Sequence, residues 1–124
     1  MAEATVLVVD DDAGFRAYVR AALEGDAFRV VEGTSAQDAV DVALRERPHA
    51  ILLDWRMPGG SGIVACRNLR AEADLTGVRI AMITGLDDER DRTLARHAGA
   101  DAFLVKDGDP DALTRQVRRL LVAP

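Results

Sequence analysis

The chain has 124 residues, of which 48% are hydrophobic and 30% are charged, and it carries 16 basic and 21 acidic side chains. This length fits one domain with its own core, so we expect residues 1–124 to form a single domain without an output domain. The single cysteine excludes an intramolecular disulfide and a cysteine-rich zinc site. The net charge of −5 and the 4% of aromatic residues argue against direct nucleic-acid binding.

The sequence contains no apolar run near the ~20 residues that a membrane-spanning helix needs. Its first residues also lack the basic start and apolar stretch of a signal peptide. We therefore expect a cytoplasmic protein that does not interact with membranes.

Lysine is almost absent, because every basic residue except Lys106 is an arginine. A lysine ammonium is a compact point charge on a flexible stem, whereas the guanidinium of arginine is a planar fork, so the two are not interchangeable. Either the exception is chance, or position 106 requires an ammonium.

Five short apolar runs alternate along the chain with five stretches that have the spacing of amphipathic helices. The apolar runs are Val6–Val9, Phe28–Val31, Ala50–Leu53, Ile80–Ile83 and Ala102–Val105. The predicted helix N-caps, in chain order, are Asp12, Ser35, Ser61, Asp87 and Asp109. This order, a strand and a helix repeated five times, predicts an α/β fold with a parallel sheet and helices on both faces.

Polar side chains stand directly after four of the predicted strands. Asp10 and Asp11 follow the first strand, Asp54 follows the third, Thr84 ends the fourth and Lys106 follows the fifth. Ligands of open parallel sheets bind outside the carboxyl ends of the strands, so we expect these side chains to lie close together.

Three carboxylates in one crevice repel one another unless a cation shares the site. Mg²⁺ commonly uses one or two carboxylates, several waters and a phosphate. A lysine ammonium and a threonine hydroxyl suit the oxygens of a phosphoryl group, and a carboxylate nucleophile would become an acyl phosphate. The combination predicts phosphoryl transfer.

The motifs together resemble the receiver domain of two-component response regulators. They are Val8-Val9-Asp10-Asp11-Asp12, the segment from Asp54 to Gly62, Thr84-Gly85, and the segment from Gly99 to Lys106, so the resemblance spans essentially the whole chain. It implies a (βα)5 flavodoxin-like, doubly wound sheet with five parallel strands in the order 2-1-3-4-5.

The resemblance also implies roles for individual residues. Asp54 would be the phosphoacceptor, Lys106 would pair with the phosphoryl group, and Thr84 would hydrogen-bond it. Thr84 and Phe103 would form the switch, and Phe103, which lacks the hydroxyl of a tyrosine, could switch only by repacking.

The metal set implied by the resemblance holds Mg²⁺ or Mn²⁺. Asp11 and Asp54 would bind the ion directly with the backbone carbonyl of Arg56, and Asp10 would act largely through water.

As partners, the resemblance implies a histidine kinase or histidine phosphotransfer protein as donor. A downstream protein would read the face formed by the fourth helix, fifth strand and fifth helix, and the domain would be a monomer or weak homodimer. It would catalyse only its own phosphoryl transfer and dephosphorylation. One alternative is a receiver-like interaction module that acts without phosphorylation. Another is an aspartate-nucleophile phosphatase, but Arg56 stands where such enzymes usually carry a second aspartate.

The sequence departs from the family pattern after the lysine and the threonine. Asp107 stands where the family usually has proline, and we expect a trans Lys106–Asp107 bond because a non-proline cis bond costs ~2.5–4 kcal/mol. Gly85 stands where alanine is commoner. Arg56 and Leu86 occupy positions that tune the phosphoryl lifetime in the family, and their bulk predicts slow self-dephosphorylation.

Overall fold

The computed structural model describes residues 3–57, 60–85, 88–106 and 108–122. The strands of the main sheet are β1 (Thr5–Val9), β2 (Arg29–Gly33), β3 (Ala50–Asp54), β4 (Arg79–Thr84) and β5 (Ala102–Val105). The helices are α1 (Ala13–Glu24), α2 (Ala36–Glu46), α3 (Gly62–Arg70), α4 (Glu89–Ala98) and α5 (Pro110–Val122), with a 3-10 turn at Ala73–Leu75. A short antiparallel pairing also joins Arg56–Met57 to Gly60–Ser61.

The five strands are parallel and lie in the order β2-β1-β3-β4-β5. Both the α/β fold class and the expected strand order are therefore confirmed. The order reverses between β1 and β3, and this reversal opens a crevice at the carboxyl ends of the two strands. The topology thus brings the residues after β1 and β3 together.

The central strands are buried on both faces, which explains why the sequence shows continuous apolar runs there. In β1, Leu7 and Val9 face the core beneath α2, α3 and α4, whereas Val6 and Val8 face the core beneath α1 and α5. All four side chains are at most 1% exposed. Within the described ranges, no helix is both long and apolar enough to cross a bilayer.

Side-chain caps fix where most helices begin. Ser35 accepts the backbone N–H of Asp38, whose carboxylate accepts the backbone N–H of Ser35. The predicted cap at Ser35 is therefore confirmed, and it forms a reciprocal capping box. Ser61 caps α3 and Asp12 caps α1, as the sequence predicted. At the start of α5, Asp109 accepts the backbone N–H of Asp111.

The predicted cap of the fourth helix is wrong by one residue. The N-cap is Asp88, whose carboxylate accepts the backbone N–H groups of Arg90 and Asp91. Asp87 lies outside the described residues. Two adjacent aspartates offer equivalent caps locally, so the sequence pattern does not decide between them.

Candidate functional site

Three carboxylates meet at the carboxyl ends of β1 and β3. One oxygen each from Asp10, Asp11 and Asp54 lies within 4.8 Å of the other two. Asp10 is 1% exposed, Asp54 is half-buried and Asp11 is open to solvent. An oxygen-only set with one solvent-facing member fits a hard divalent cation that keeps several waters.

Lys106 places its ammonium between two of these carboxylates. Its Nζ lies 3.1 Å from Asp10 Oδ2 and 3.5 Å from Asp54 Oδ1. The backbone N–H of Lys106 donates to the carbonyl of Thr84 at 2.8 Å, which holds the chain after β5 beside the end of β4. The only lysine of the sequence therefore lies within the acidic cluster.

Burial and the neighbouring charges shift the pKa of the Asp54 carboxyl. Burial raises the pKa of its carboxyl, and the negative charge of Asp10 raises it further. The Lys106 ammonium and the backbone N–H of Arg56 lower the pKa and partly offset these effects. The site thus concentrates negative charge that a bound cation would relieve.

Asp10 is held from several directions. Its backbone N–H donates to the Gly33 carbonyl at 3.2 Å, and its Oδ1 accepts the backbone N–H of Asp12 at 2.9 Å. Its carbonyl accepts a bond of 2.8 Å from Arg16 Nη1. Arg16 was not predicted as a site residue, because an arginine on an amphipathic helix carries no local sign of a bond to the preceding strand end.

A cleft of about 290 Å³ opens beside Asp54, lined by Asp54, Trp55, Arg56, Thr84, Gly85 and Asp91. Thr84 is 8% exposed and lies in its wall. Asp91 was not predicted as a site residue, and the fold brings it to the cleft on α4. Leu86, Asp107 and, in the motif from Asp54 to Gly62, Pro58 and Gly59 lie outside the described residues. The trans Lys106–Asp107 bond therefore stays a prediction.

Gly62 lets the first turn of α3 pack against the end of β3. Its backbone N–H donates to the Trp55 carbonyl at 2.9 Å. A Cβ at position 62 would lie 2.4 Å from the carbonyl oxygen of Asp54, which is far closer than a van der Waals contact. Glycine is thus required here to keep the backbone of Asp54 in place.

Phe103 connects the cleft to the outer surface of α4 and β5. Its ring meets the ring of Trp55 edge-on, with centroids 5.8 Å apart and an interplanar angle of 77°. The guanidinium carbon of Arg92 lies 5.1 Å from the centroid of Phe103. The adjoining side chains of Trp55 and Phe103 therefore lie between the cleft and the α4–β5 surface.

Residues 6–118 match the family model of the response regulator receiver domain. The chain belongs to this family. Such receiver domains are signalling modules of two-component systems and do not turn over an external substrate, which favours a signalling role over the phosphatase alternative.

Among curated relatives, the phosphate regulon transcriptional regulatory protein PhoB of Escherichia coli is 34% identical over 116 residues, covering 94% of this chain and 51% of PhoB. The DNA-binding response regulator MtrA of Mycolicibacterium paratuberculosis is 40% identical over 120 residues, covering 94% of this chain and 50% of MtrA. The chain spans about half the length of the curated relatives it matches.

Among solved structures, the chemotaxis response regulator CheY4 of Vibrio cholerae superposes with a TM-score of 0.92 at 26% identity. The match covers 97% of this chain and 100% of the CheY4 chain. The receiver fold inferred from the motifs is thus confirmed over nearly the whole chain.

Proposed function

We propose that this receiver domain is a Mg²⁺-dependent phosphoaspartate switch with Asp54 as its phosphoacceptor. The observation that carries the proposal is the position of Lys106 Nζ, 3.1 Å from Asp10 Oδ2 and 3.5 Å from Asp54 Oδ1. An ammonium held there adjoins the space into which a phosphoryl group on Asp54 would project. Thr84, in the wall of the same cleft, supplies a hydroxyl to that group.

In the transfer step, a carboxylate oxygen of Asp54 forms a bond to phosphorus as the bond from phosphorus to the donor breaks. With a phosphohistidine donor, the imidazole nitrogen leaves with the electron pair and then takes a proton from solvent. Because the protein's task in such transfers is alignment and neutralisation of oxygen charge, no general base is needed, and Lys106 and Thr84 act together with the bound ion. Hydrolysis of the acyl phosphate returns inorganic phosphate and the free carboxylate.

Asp11 and Asp54 would hold Mg²⁺ or Mn²⁺ directly, Asp10 would contribute through water, and the backbone carbonyl of Arg56 would complete the protein ligands. The bound ion would neutralise charge on the phosphoryl oxygens. The oxygen-only chemistry of the carboxylate cluster, with its atoms within 4.8 Å, supports this assignment.

The donor is a histidine kinase or a histidine phosphotransfer protein in the cytoplasm, and a downstream protein reads the surface of α4, β5 and α5. The contact of Phe103 with Trp55 on one side and Arg92 on the other supports this route from Asp54 to the surface. When Thr84 moves toward the phosphoryl group, Phe103 repacks and shifts the population of a two-state surface.

The test is to incubate the chain with acetyl phosphate and Mg²⁺ and to measure its intact mass and the fluorescence of Trp55. We expect one added phosphoryl group, lost on removal of Mg²⁺ by EDTA and in Asp54→Asn, with a fluorescence change that follows the same dependence. Asp91→Asn is the matched control, since it removes a carboxylate from the same cleft without removing the acceptor.

Two results contradict the proposal. Phosphorylation that persists in Asp54→Asn would assign the acceptor to another residue. A chain that binds Mg²⁺ but takes no phosphoryl group from acetyl phosphate or from a phosphorylated histidine donor would instead be the phosphate-independent interaction module.

Side chains at the same cleft would control how long the phosphoryl group stays on Asp54. Arg56 lies in its wall, and its guanidinium with the apolar Leu86 would shield the acyl phosphate from water. We expect slow self-dephosphorylation that accelerates in the Arg56→Asn, Leu86→Glu double variant. An unchanged half-life, measured by the decay of the phosphorylated mass, would show that these positions do not set the rate.

A further inference from the structure

Lys106 has a third neighbour besides the two carboxylates. Its Nζ lies 4.1 Å from the centroid of the Phe15 ring. The face of an aromatic ring carries negative potential and attracts a cation at this distance. The ammonium is therefore held between a ring on α1 and the carboxylates at the ends of β1 and β3.

The stem of Lys106 is not fixed by close packing. Its side chain is 29% exposed. An apolar cavity of about 200 Å³ lies beside it, with Tyr18, Ile83, Leu104 and Leu113 among the lining residues. A lysine with free space beside its stem has many rotamers, and restricting it to one has a large entropic cost. A contact that holds the ammonium before a phosphoryl group arrives would reduce that cost.

Phe15 also lines this cavity, but it is well placed to be that contact because the helix and its ring packing anchor it. It lies in the first turn of α1, whose N-cap is Asp12. Its ring stacks on that of Tyr18, with centroids 5.9 Å apart and an interplanar angle of 30°, and it packs against the core beneath α1 and α5. One short segment thus supplies both the first carboxylates of the site and the ring that faces the lysine.

We propose that Phe15 is a positioning residue that holds the Lys106 ammonium at Asp54 and so prepares the site for a phosphoryl group. The inference rests on the proposed function, and it assigns to Phe15 a task beyond filling the core. A cation–π contact at a partly exposed site corresponds to about a two- to fivefold change in an equilibrium constant. The aromatic face, not the apolar volume, is the required property.

Because Lys106 is the only lysine of the chain, ¹³C-labelled lysine gives a single ε-methylene signal in the NMR spectrum. In the unmodified protein we expect the ring of Phe15 to shift the ε-methylene protons upfield of a lysine in a short peptide. Phe15→Leu keeps an apolar side chain but removes the ring, and should return the signal toward the peptide position. Phe15→Tyr keeps the ring and should keep the shift.

A second experiment measures the affinity of each variant for beryllofluoride in the presence of Mg²⁺, by titration of Trp55 fluorescence. We expect Phe15→Leu to weaken the affinity by about two- to fivefold and Phe15→Tyr to restore it. The matched control is Phe28→Leu, which removes a ring beneath the cation of Arg118 at the amino end of β2. It should leave both the lysine signal and the affinity unchanged.

Either of two results overturns the inference. If the lysine signal does not move in Phe15→Leu, the ring does not hold the ammonium. If it moves but the affinity for beryllofluoride stays within error, the contact exists without positioning the site. If the unmodified protein fails to bind beryllofluoride, the proposed function fails instead, and the lysine signal still decides whether Phe15 holds Lys106.

Discussion

Helix α1 follows the first aspartates of the site and α4 follows Thr84 and Gly85, so the two helices reach the site on opposite faces of the sheet. In α1, Val19 and Leu23 are completely buried. In α4 the buried side chains are Ala95 and Ala98, and Leu94 is 44% exposed. Elements with little buried apolar surface open at low free energy. We therefore expect α1 to hold the site in place and α4 to move at a low free-energy cost.

The polar contacts of the two helices also differ in where they hold each helix. α1 is joined to β2 near the site, where Arg16 and Arg20 both bind Glu32 at 2.7–2.8 Å. The far end of α4 is held by Arg70, which donates to the Gly99 carbonyl at 2.9 Å. This polar tether of α4 thus lies at the end of the helix that is away from the cleft.

The largest expected difference in stability is between two matched leucine truncations, one in each helix. Leu23→Ala should lower the free energy of unfolding by about 2–5 kcal/mol, because it leaves a cavity in a closed core. Leu94→Ala should change it by no more than about 0.5 kcal/mol, because that side chain is largely in solvent. Urea denaturation of the two variants measures both values. Equal losses would contradict the contrast between α1 and α4.

The next largest effect is expected from replacing Arg70. Arg70→Met should lower the free energy of unfolding by about 1–3 kcal/mol, since the carbonyls of Val78 and Gly99 and the Asp101 carboxylate lose a charged donor. Hydrogen exchange should also quicken at the C-terminal end of α4 more than in α1.

Arg70→Lys is the control, because it keeps the charge but loses the planar fork that serves three acceptors. It should recover only part of the stability. Complete recovery would mean that charge alone, and not the set of directed bonds, tethers α4.

The ion pairs that join α1 to Glu32 on β2 predict a pH dependence of stability. Hydrogen bonds from Arg20 lower the pKa of Glu32, burial opposes this, and Arg16 lowers it further. A lowered pKa stabilises the fold at pH above the ordinary glutamate value of about 4.3, and this stabilisation disappears as the pH falls through the lowered value.

Glu32→Gln should therefore lower the free energy of unfolding by up to about 1 kcal/mol at neutral pH and leave it unchanged in acid. Urea denaturation at several pH values measures this difference. Glu24→Gln is the control, because it removes only the exposed pair with Arg20 in the same helix, and it should cost about 0.3–0.5 kcal/mol. A Glu32→Gln loss that is the same at all pH values would rule out the ion pairs as its source.

The smallest effect concerns Gly85, at the entrance to α4. Its φ is not in the left-handed region, and a Cβ there would meet no atom within 4 Å. Gly85→Ala should therefore raise the free energy of unfolding by about 0.4–1 kcal/mol by restricting the unfolded chain. A loss of stability would show that the turn before α4 depends on glycine.

The sequence was sufficient for the parts of this protein that depend on local patterns. Strands and helices follow from apolar periodicity, and the caps at Ser35 and Ser61 follow from the residues beside them. The aspartates at 87 and 88 are locally equivalent as caps, so the sequence alone did not decide between them. The strand order came from the resemblance to receiver domains, because local patterns do not say which strands are neighbours.

Which side chains meet was decided by the tertiary structure. The sequence alone determined that aspartates and the single lysine stand at strand ends, and the parallel fold makes those ends neighbours. The ring of Phe15 against Lys106 and the bond from Arg16 to the carbonyl of Asp10 are contacts that no periodicity encodes. They depend on how α1 packs against β1, β2 and α5, and that packing exists only once the whole chain has folded.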